Sequence, residues 1–392
     1  MVYLMVHVSN RAMLGALIAL AVLGAIVYVI SLPEVTIEET GLWLKPFLDY
    51  IEKEYEPIWI SEADIGRYPS EAHVSNVPWI SYNKSYCAST CLQMVAYKYG
   101  IREPVEYFNF LMSFTYGASM EVFNNFAFFI PGSDPIPGFK QASKYLGLQY
   151  HFLVTNDKKL FLDMCKYMVS QDKPVILPVD AGKLYNLTYP APHFVLLVGY
   201  RGEMFYIYEP VLGEEKFSLD EKGIGFSKEA IVRAARVFNE VFHLPWKYSL
   251  IYFTKAGRPV KDLKPLLRKN GELQVGFKYF IICTGAKAIE TLANYTAQGK
   301  INLEEQMFGI HLAMVSRFDN AKFLKTRFSD NKLVMEAASK LEEAAKIYEQ
   351  ILELMRNGIT PHEREHIVNL LFQAAKCEED AGKLLIKASL HE

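Results

Sequence analysis

The sequence predicts an α+β fold. A central domain with a mainly antiparallel sheet follows one transmembrane helix and precedes an α-helical bundle. Three observations point there. Between residues 81 and 258, segments rich in Val, Ile, Phe and Tyr alternate with helical patterns. The run from Ala12 to Ile30 is uncharged and nearly all apolar, close to the ~20 residues that a bilayer-crossing helix needs. Beyond about residue 270 the strand patterns stop, and Ala, Glu, Lys and Leu take over.

The 392 residues are enough for two domains of ordinary size, and 51% hydrophobic with 22% charged residues is a globular profile. A formal net charge of -2 supplies no basic surface, so no nucleic-acid partner is expected.

The elements follow in order. Residues 1–32 read as a membrane anchor, retained rather than cleaved because the apolar run is too long for a signal peptide. Arg11 precedes it and Glu34, Glu38 and Glu39 follow, which places the N-terminus in the cytoplasm and the main domain outside. Residues 33–80 are a lead-in with a short helix near Leu42–Glu54. Residues 81–258 form the central domain, with strands at Leu148–Val154, Pro174–Val179, His193–Tyr200, Met204–Tyr208 and Tyr248–Thr254. Residues 270–392 form the helical domain. In it Lys332–Asn357 is a helix ended by Gly358, and Thr360-Pro361-His362-Glu363 is a capping box opening the last helix.

The five cysteines are Cys87, Cys91, Cys165, Cys283 and Cys377, and their spacing matches no zinc or disulfide framework. Cys87 opens a helical pattern running to Gly100, so it lies in the first turn, where the helix dipole favours a thiolate. Cys91, one turn deeper, is expected to be buried and inert. His193 opens a strand, and Glu209 closes the next one. If Arg201-Gly-Glu203 is the hairpin loop, Tyr200 pairs with Met204 and Val195 with Glu209. His193 and Glu209 then share a face, one diagonal step apart. A two-residue turn shifts the register and puts them on opposite faces. Cys, His and carboxylate in this order suggest thiol chemistry, with Cys87 as nucleophile, His193 as proton carrier and Glu209 orienting the ring.

The stretch Cys87-Ala-Ser-Thr-Cys-Leu-Gln-Met-Val-Ala-Tyr-Lys-Tyr-Gly100 resembles the nucleophile helix of the C39-type, papain-like peptidases that trim leader peptides. His193-Phe-Val-Leu-Leu-Val-Gly-Tyr200 with Tyr208-Glu209-Pro210 is similar to their His-strand and Asp-Pro segment. Lys173-Pro-Val-Ile-Leu-Pro-Val-Asp180-Ala is closer to the N-terminal domain of the butirosin biosynthesis protein H family, acyltransferases that move an aminoacyl group from a carrier thioester to an aminoglycoside. That family also carries a helical C-terminal domain, which Phe323-Leu-Lys-Thr-Arg-Phe-Ser329 and the last two helices resemble. Where the peptidases place an oxyanion-hole Gln, Ser81 stands here, with Asn83 the nearest amide; Ala88 replaces a Gly, and Glu209 replaces an Asp.

The resemblance implies a papain-like domain and acyl transfer, with Asn83 and the Cys87 N–H as oxyanion donors and Asp180 as a substrate contact. The expected function is a membrane-anchored cysteine hydrolase or peptidase that cleaves an amide or thioester through Cys87, His193 and Glu209. The alternatives are a butirosin H-type acyltransferase, moving an acyl group from a thioester to an amine, and a catalytically degenerate peptide-binding module. The expected partners are a peptide or acyl-thioester substrate and a membrane reached through residues 12–32. Thiol chemistry needs no cofactor. His362-Glu363-Arg364-Glu365-His366 fits the H-E-x-x-H pattern, but its charged residues and capping box make it a solvated helix start, and no metal site is expected.

Overall fold

The computed structural model describes residues 48–121, 128–129, 133–187, 191–219, 221–279, 282–356 and 358–390. The expected apolar span at 12–30 lies outside these residues, as do residues 42–47 of the lead-in helix; residues 48–55 are helical. Among the described residues no helix is long and apolar enough to cross a membrane.

In chain order the elements are β1 (Pro57–Trp59), β2 (Glu71–His73), β3 (Trp79–Ser81), α1 (Cys87–Lys98), α2 (Val105–Met112), β4 (Ser119–Glu121), β5 (Phe128–Phe129), α3 (Pro135–Leu146), β6 (Leu148–Thr155) and α4 (Lys158–Ser170). Then come β7 (Val175–Asp180), α5 (Ala181–Leu184), β8 (Pro192–Arg201), β9 (Met204–Tyr208), β10 (Lys216–Ser218), β11 (Ile224–Ser227), α6 (Lys228–Val241) and β12 (Tyr248–Lys255). The chain closes with α7 (Lys264–Val275), β13 (Lys278–Tyr279), β14 (Ile282–Thr284), α8 (Gly285–Ala297), α9 (Met307–Arg327), α10 (Lys332–Arg356) and α11 (Pro361–Ala388).

This mixed α+β chain divides into two compact units. One consists of Ile51–Phe108 and Pro135–Lys261. It therefore starts before the expected boundary at 81 and does not contain residues 109–134. Its sheet runs β1-β6-β12-β7-β8-β9-β11, with β2 added on β8. Every neighbouring pair is antiparallel except β1 with β6. The centre is formed by β7, buried along its length, and by β8, buried from Phe194 to Tyr200. Such strands read as unbroken apolar runs because both faces are covered. Helices α1 and α4 pack on β8, and α6 packs on β7. A separate pair, β3 with β10, lies antiparallel.

The other unit draws on Asn109–Asp134 and Asp262–Glu392. The expectation that strands stop near residue 270 is corrected here: β13 and β14 join β4 and β5 in a four-stranded sheet, ordered β13-β14-β4-β5. The second partner of β14 lies far back in the chain, as in Cys283 opposite Met120, and so short an apolar run carries no periodicity to announce it. Helix α11 packs against α7, α8 and α10, and α9 packs against α10. The capping box that opens α11 is formed: Thr360 Oγ1 accepts from Glu363 N–H at 3.3 Å, and Glu363 Oε2 accepts from Thr360 N–H at 2.6 Å.

Within this unit Arg317 and Glu378 are fully buried. The guanidinium donates through Nε to Glu378 Oε1 at 2.9 Å and through Nη2 to Oε2 at 2.6 Å, while Nη1 reaches the Thr115 carbonyl at 2.7 Å. Tyr348 Oη and Gln274 Nε2 donate to the same carboxylate. A buried charge is tolerable only when paired and hydrogen-bonded in this way.

Candidate active site

Cys87 is the first residue of α1 and is partly exposed. Tyr86 caps the helix through its carbonyl, which accepts from Thr90 N–H at 2.8 Å and from Ser89 Oγ at 3.1 Å. In the first turn Cys87 N–H has no intrahelical acceptor, and the positive end of the helix dipole lies beside its sulfur. Cys91 is completely buried. Burial, reinforced by the charges of Cys87 and Glu209, pushes its thiol well above the ordinary value, so it stays protonated.

His193 and Glu209 meet by an unexpected route. The hairpin between β8 and β9 has the two-residue turn Gly202-Glu203, because Arg201 pairs with Met204 and Tyr200 with Phe205. The expected three-residue loop is therefore corrected. The ladder, however, contains an irregularity: Gly199 pairs with Tyr206, but the next pair is Leu197 with Ile207. Val198 is an extra residue on its strand, a β-bulge. It shifts the register by one, so that Leu196 pairs with Tyr208 and the face lost at the turn is regained. The bulge is itself held, since the Val198 carbonyl accepts from Val74 N–H at 2.7 Å.

His193 Nε2 lies 2.8 Å from Glu209 Oε1. A carboxylate only accepts, so Nε2 carries the proton, and Nδ1 is left for the hydrogen bond with Cys87. Burial pulls the imidazolium down. The hydrogen bonds to Cys87 and Glu209, with the negative charges of both, outweigh it and push His193 up to about 10. Glu209 is 3% exposed. Its Oε1 also accepts from Val211 N–H at 2.9 Å, and its Oε2 from the Tyr185 hydroxyl. Its backbone carbonyl accepts from Trp79 Nε1 at 2.9 Å, and the Trp79 ring stacks on Tyr208 with centroids 5.2 Å apart. Three side chains named from the sequence thus converge as Cys87–His193–Glu209, a geometry suited to a thiolate nucleophile with a positioned proton carrier.

The remaining residues fall elsewhere. Ser81 is buried, and its Oγ accepts from Leu212 N–H at 2.8 Å, stapling β3 to the segment after Glu209. Asn83 is exposed in the turn before α1. Asp180, expected to contact substrate, is 1% exposed; its Oδ1 accepts from Lys183 N–H at 2.7 Å and its Oδ2 from Ala191 N–H at 2.8 Å. Both oxygens are thus engaged by backbone donors of the loop between β7 and β8. His362 and His366 are exposed on α11, and the described residues contain no group of His, Cys, Asp or Glu able to hold a metal ion. Sequence reasoning missed Tyr185. It stands in that same loop, and no spacing or pattern connects it to Glu209.

Residues 74–223 match the family described as "Peptidase_C39 like family". No curated protein matches the chain. Among solved structures, a candidate C39-like peptidase from Bacillus anthracis aligns at 18% identity and a TM-score of 0.34, covering 48% of this chain and 99% of that one.

Proposed function

We propose, from the match of residues 74–223 to the C39-like peptidase family, that the protein is a cysteine hydrolase cleaving an amide or thioester through Cys87, His193 and Glu209. The observation that carries this reading is His193, hydrogen-bonded to Cys87 on one side and to Glu209 on the other. The Cys87 thiolate attacks the acyl carbon, and a C–S bond forms as the carbonyl electrons move onto oxygen. The Cys87 N–H at the helix start and the Asn83 amide are the proposed donors to that oxyanion. His193 gives its proton to the departing nitrogen or sulfur as the acyl bond breaks. It then takes a proton from the water that releases the acyl group from Cys87. Glu209 holds the ring throughout. The apolar run 12–30 supports a further proposal, that this domain is tethered to a membrane.

The test is to incubate the full chain with mixtures of peptides and of acyl thioesters and to follow cleavage by mass spectrometry. Product formation with a transient acyl adduct on Cys87, both lost in Cys87→Ala, is expected. Cleavage that persists in Cys87→Ala would overturn the assignment.

A further inference from the structure

The carboxylate of Glu209 ends a side chain with three rotatable bonds, and only Oε1 meets His193. Oε2 is buried too, and its partner decides whether the carboxylate can turn away. That partner is the Tyr185 hydroxyl. Burial, together with the charge and hydrogen bond of Glu209, holds the Tyr185 hydroxyl far above its ordinary value, so it remains a donor.

Tyr185 is itself fixed from several directions. It caps the C-terminus of α5, its N–H donating to Ala181 O at 2.9 Å. Its ring lies edge-on to Phe226 with centroids 5.7 Å apart. The loop carrying it is pinned at both ends: Asp180 accepts from Lys183 N–H and Ala191 N–H, and Ala181 N–H donates to the Ala191 carbonyl at 2.7 Å. Arg233 Nη2 reaches across to the Lys183 carbonyl at 3.1 Å. Asp180 also pairs with Pro192, the residue before His193, in the β7–β8 ladder. Asp180 therefore holds the backbone of the loop that carries Tyr185, and Tyr185 in turn holds Glu209, the partner of His193.

We propose that Tyr185 is a positioning residue of the active site, clamping the Glu209 carboxylate toward His193, and that Asp180 acts through it by holding the loop. This rests on the Cys87–His193–Glu209 reading above. Without the hydroxyl, Oε2 loses its partner, Glu209 can rotate, and the imidazolium loses the acceptor that holds it beside the thiolate.

The test follows alkylation of Cys87 in the full chain by iodoacetamide against pH, with mass spectrometry separating it from Cys91. Tyr185→Phe keeps the ring and its packing on Phe226. Its Cys87 rate at pH 6 should fall about tenfold, the worth of one hydrogen bond to a charged group, and should rejoin the wild-type rate above pH 10, where an accessible thiol ionises without help from an imidazolium. Asp180→Asn should shift the profile the same way by less. Cys91 must stay protected throughout, since its exposure reports loss of the fold; should Tyr185→Phe expose it, Asp180→Asn decides by the same criterion. A variant profile superimposable on wild type, while His193→Ala loses the low-pH reactivity, would overturn the clamp and leave the catalytic reading standing. A wild-type Cys87 without low-pH reactivity, indifferent to His193→Ala, would overturn both.

Discussion

His193 and Glu209 stand 2.8 Å apart because a bulge at Val198 cancels the shift imposed by a two-residue turn. In a regular ladder continued from the Arg201–Met204 pair, the two side chains would lie on opposite faces. The His193–Glu209 geometry thus depends on one extra residue in the middle of β8.

Gly199, beside the bulge, tests this dependence. A Cβ there would lie 2.6 Å from His73 Cδ2 and 3.4 Å from the Ala72 carbonyl, so the His73 ring must shift. Gly199→Ala is expected to cost about 1–3 kcal/mol, as overpacking does, and to lower turnover. Adding His73→Ala removes the clashing ring and should restore most of both, as read by urea unfolding and by cleavage rate.

His193 carries the pH dependence. Its folded value, about 10, lies above its ordinary 6.5. Proton binding at His193 therefore stabilises the fold fully below about pH 6.5, and this contribution is lost as pH rises through about 10. Cleavage should fall over the same alkaline limb as the proton donor disappears. In Cys87→Ala the raising hydrogen bond and charge of the thiolate are gone, and NMR titration of the imidazole should show a markedly lower midpoint. An unchanged midpoint would contradict the thiolate–imidazolium pair.

Glu209→Gln replaces an acceptor of three donated hydrogen bonds by a neutral amide. Its cleavage rate should fall about a hundredfold, within the range for losing positioned acid–base catalysis. KM should change little, because Glu209 is buried behind His193. A rate within twofold of wild type would remove Glu209 from the mechanism.

Arg317→Met tests the second unit. It leaves Glu378 buried without its countercharge, which should destabilise the unit by about 3–5 kcal/mol. Pairing it with Glu378→Leu should recover much of the loss, since apolar replacement of both partners is often near neutral. Denaturant unfolding of the three proteins measures this directly.

How far the sequence could be read follows from the range of each interaction. Five of the eight strands of the central sheet were legible because β-rich apolar runs are local signals, and Met204–Tyr208 coincides with β9. Cys87 was legible because helix starts are local too. Three features were not. The Val198 bulge leaves no mark in an apolar run where both faces are buried. The β4–β14 pairing joins Ser119 to Thr284, and pattern has no reach over that distance. Tyr185 meets Glu209 across 24 positions, from a loop whose fold rests on backbone hydrogen bonds to Asp180 that no local pattern announces.

The excursion of residues 109–134 out of the first unit has a consequence for synthesis. As the chain leaves the ribosome, β4 emerges long before β14, its partner in the second sheet. Ser119–Glu121 must wait, with one ladder edge unsatisfied, until all eight strands of the central sheet have been made. A nascent chain stopped before residue 262 can hold Cys87, His193 and Glu209 yet still carries this orphan strand, an adhesive edge toward other chains. Truncations that isolate the thiol-bearing unit should therefore replace residues 109–134 with a short linker, or they will be sticky for reasons unrelated to catalysis.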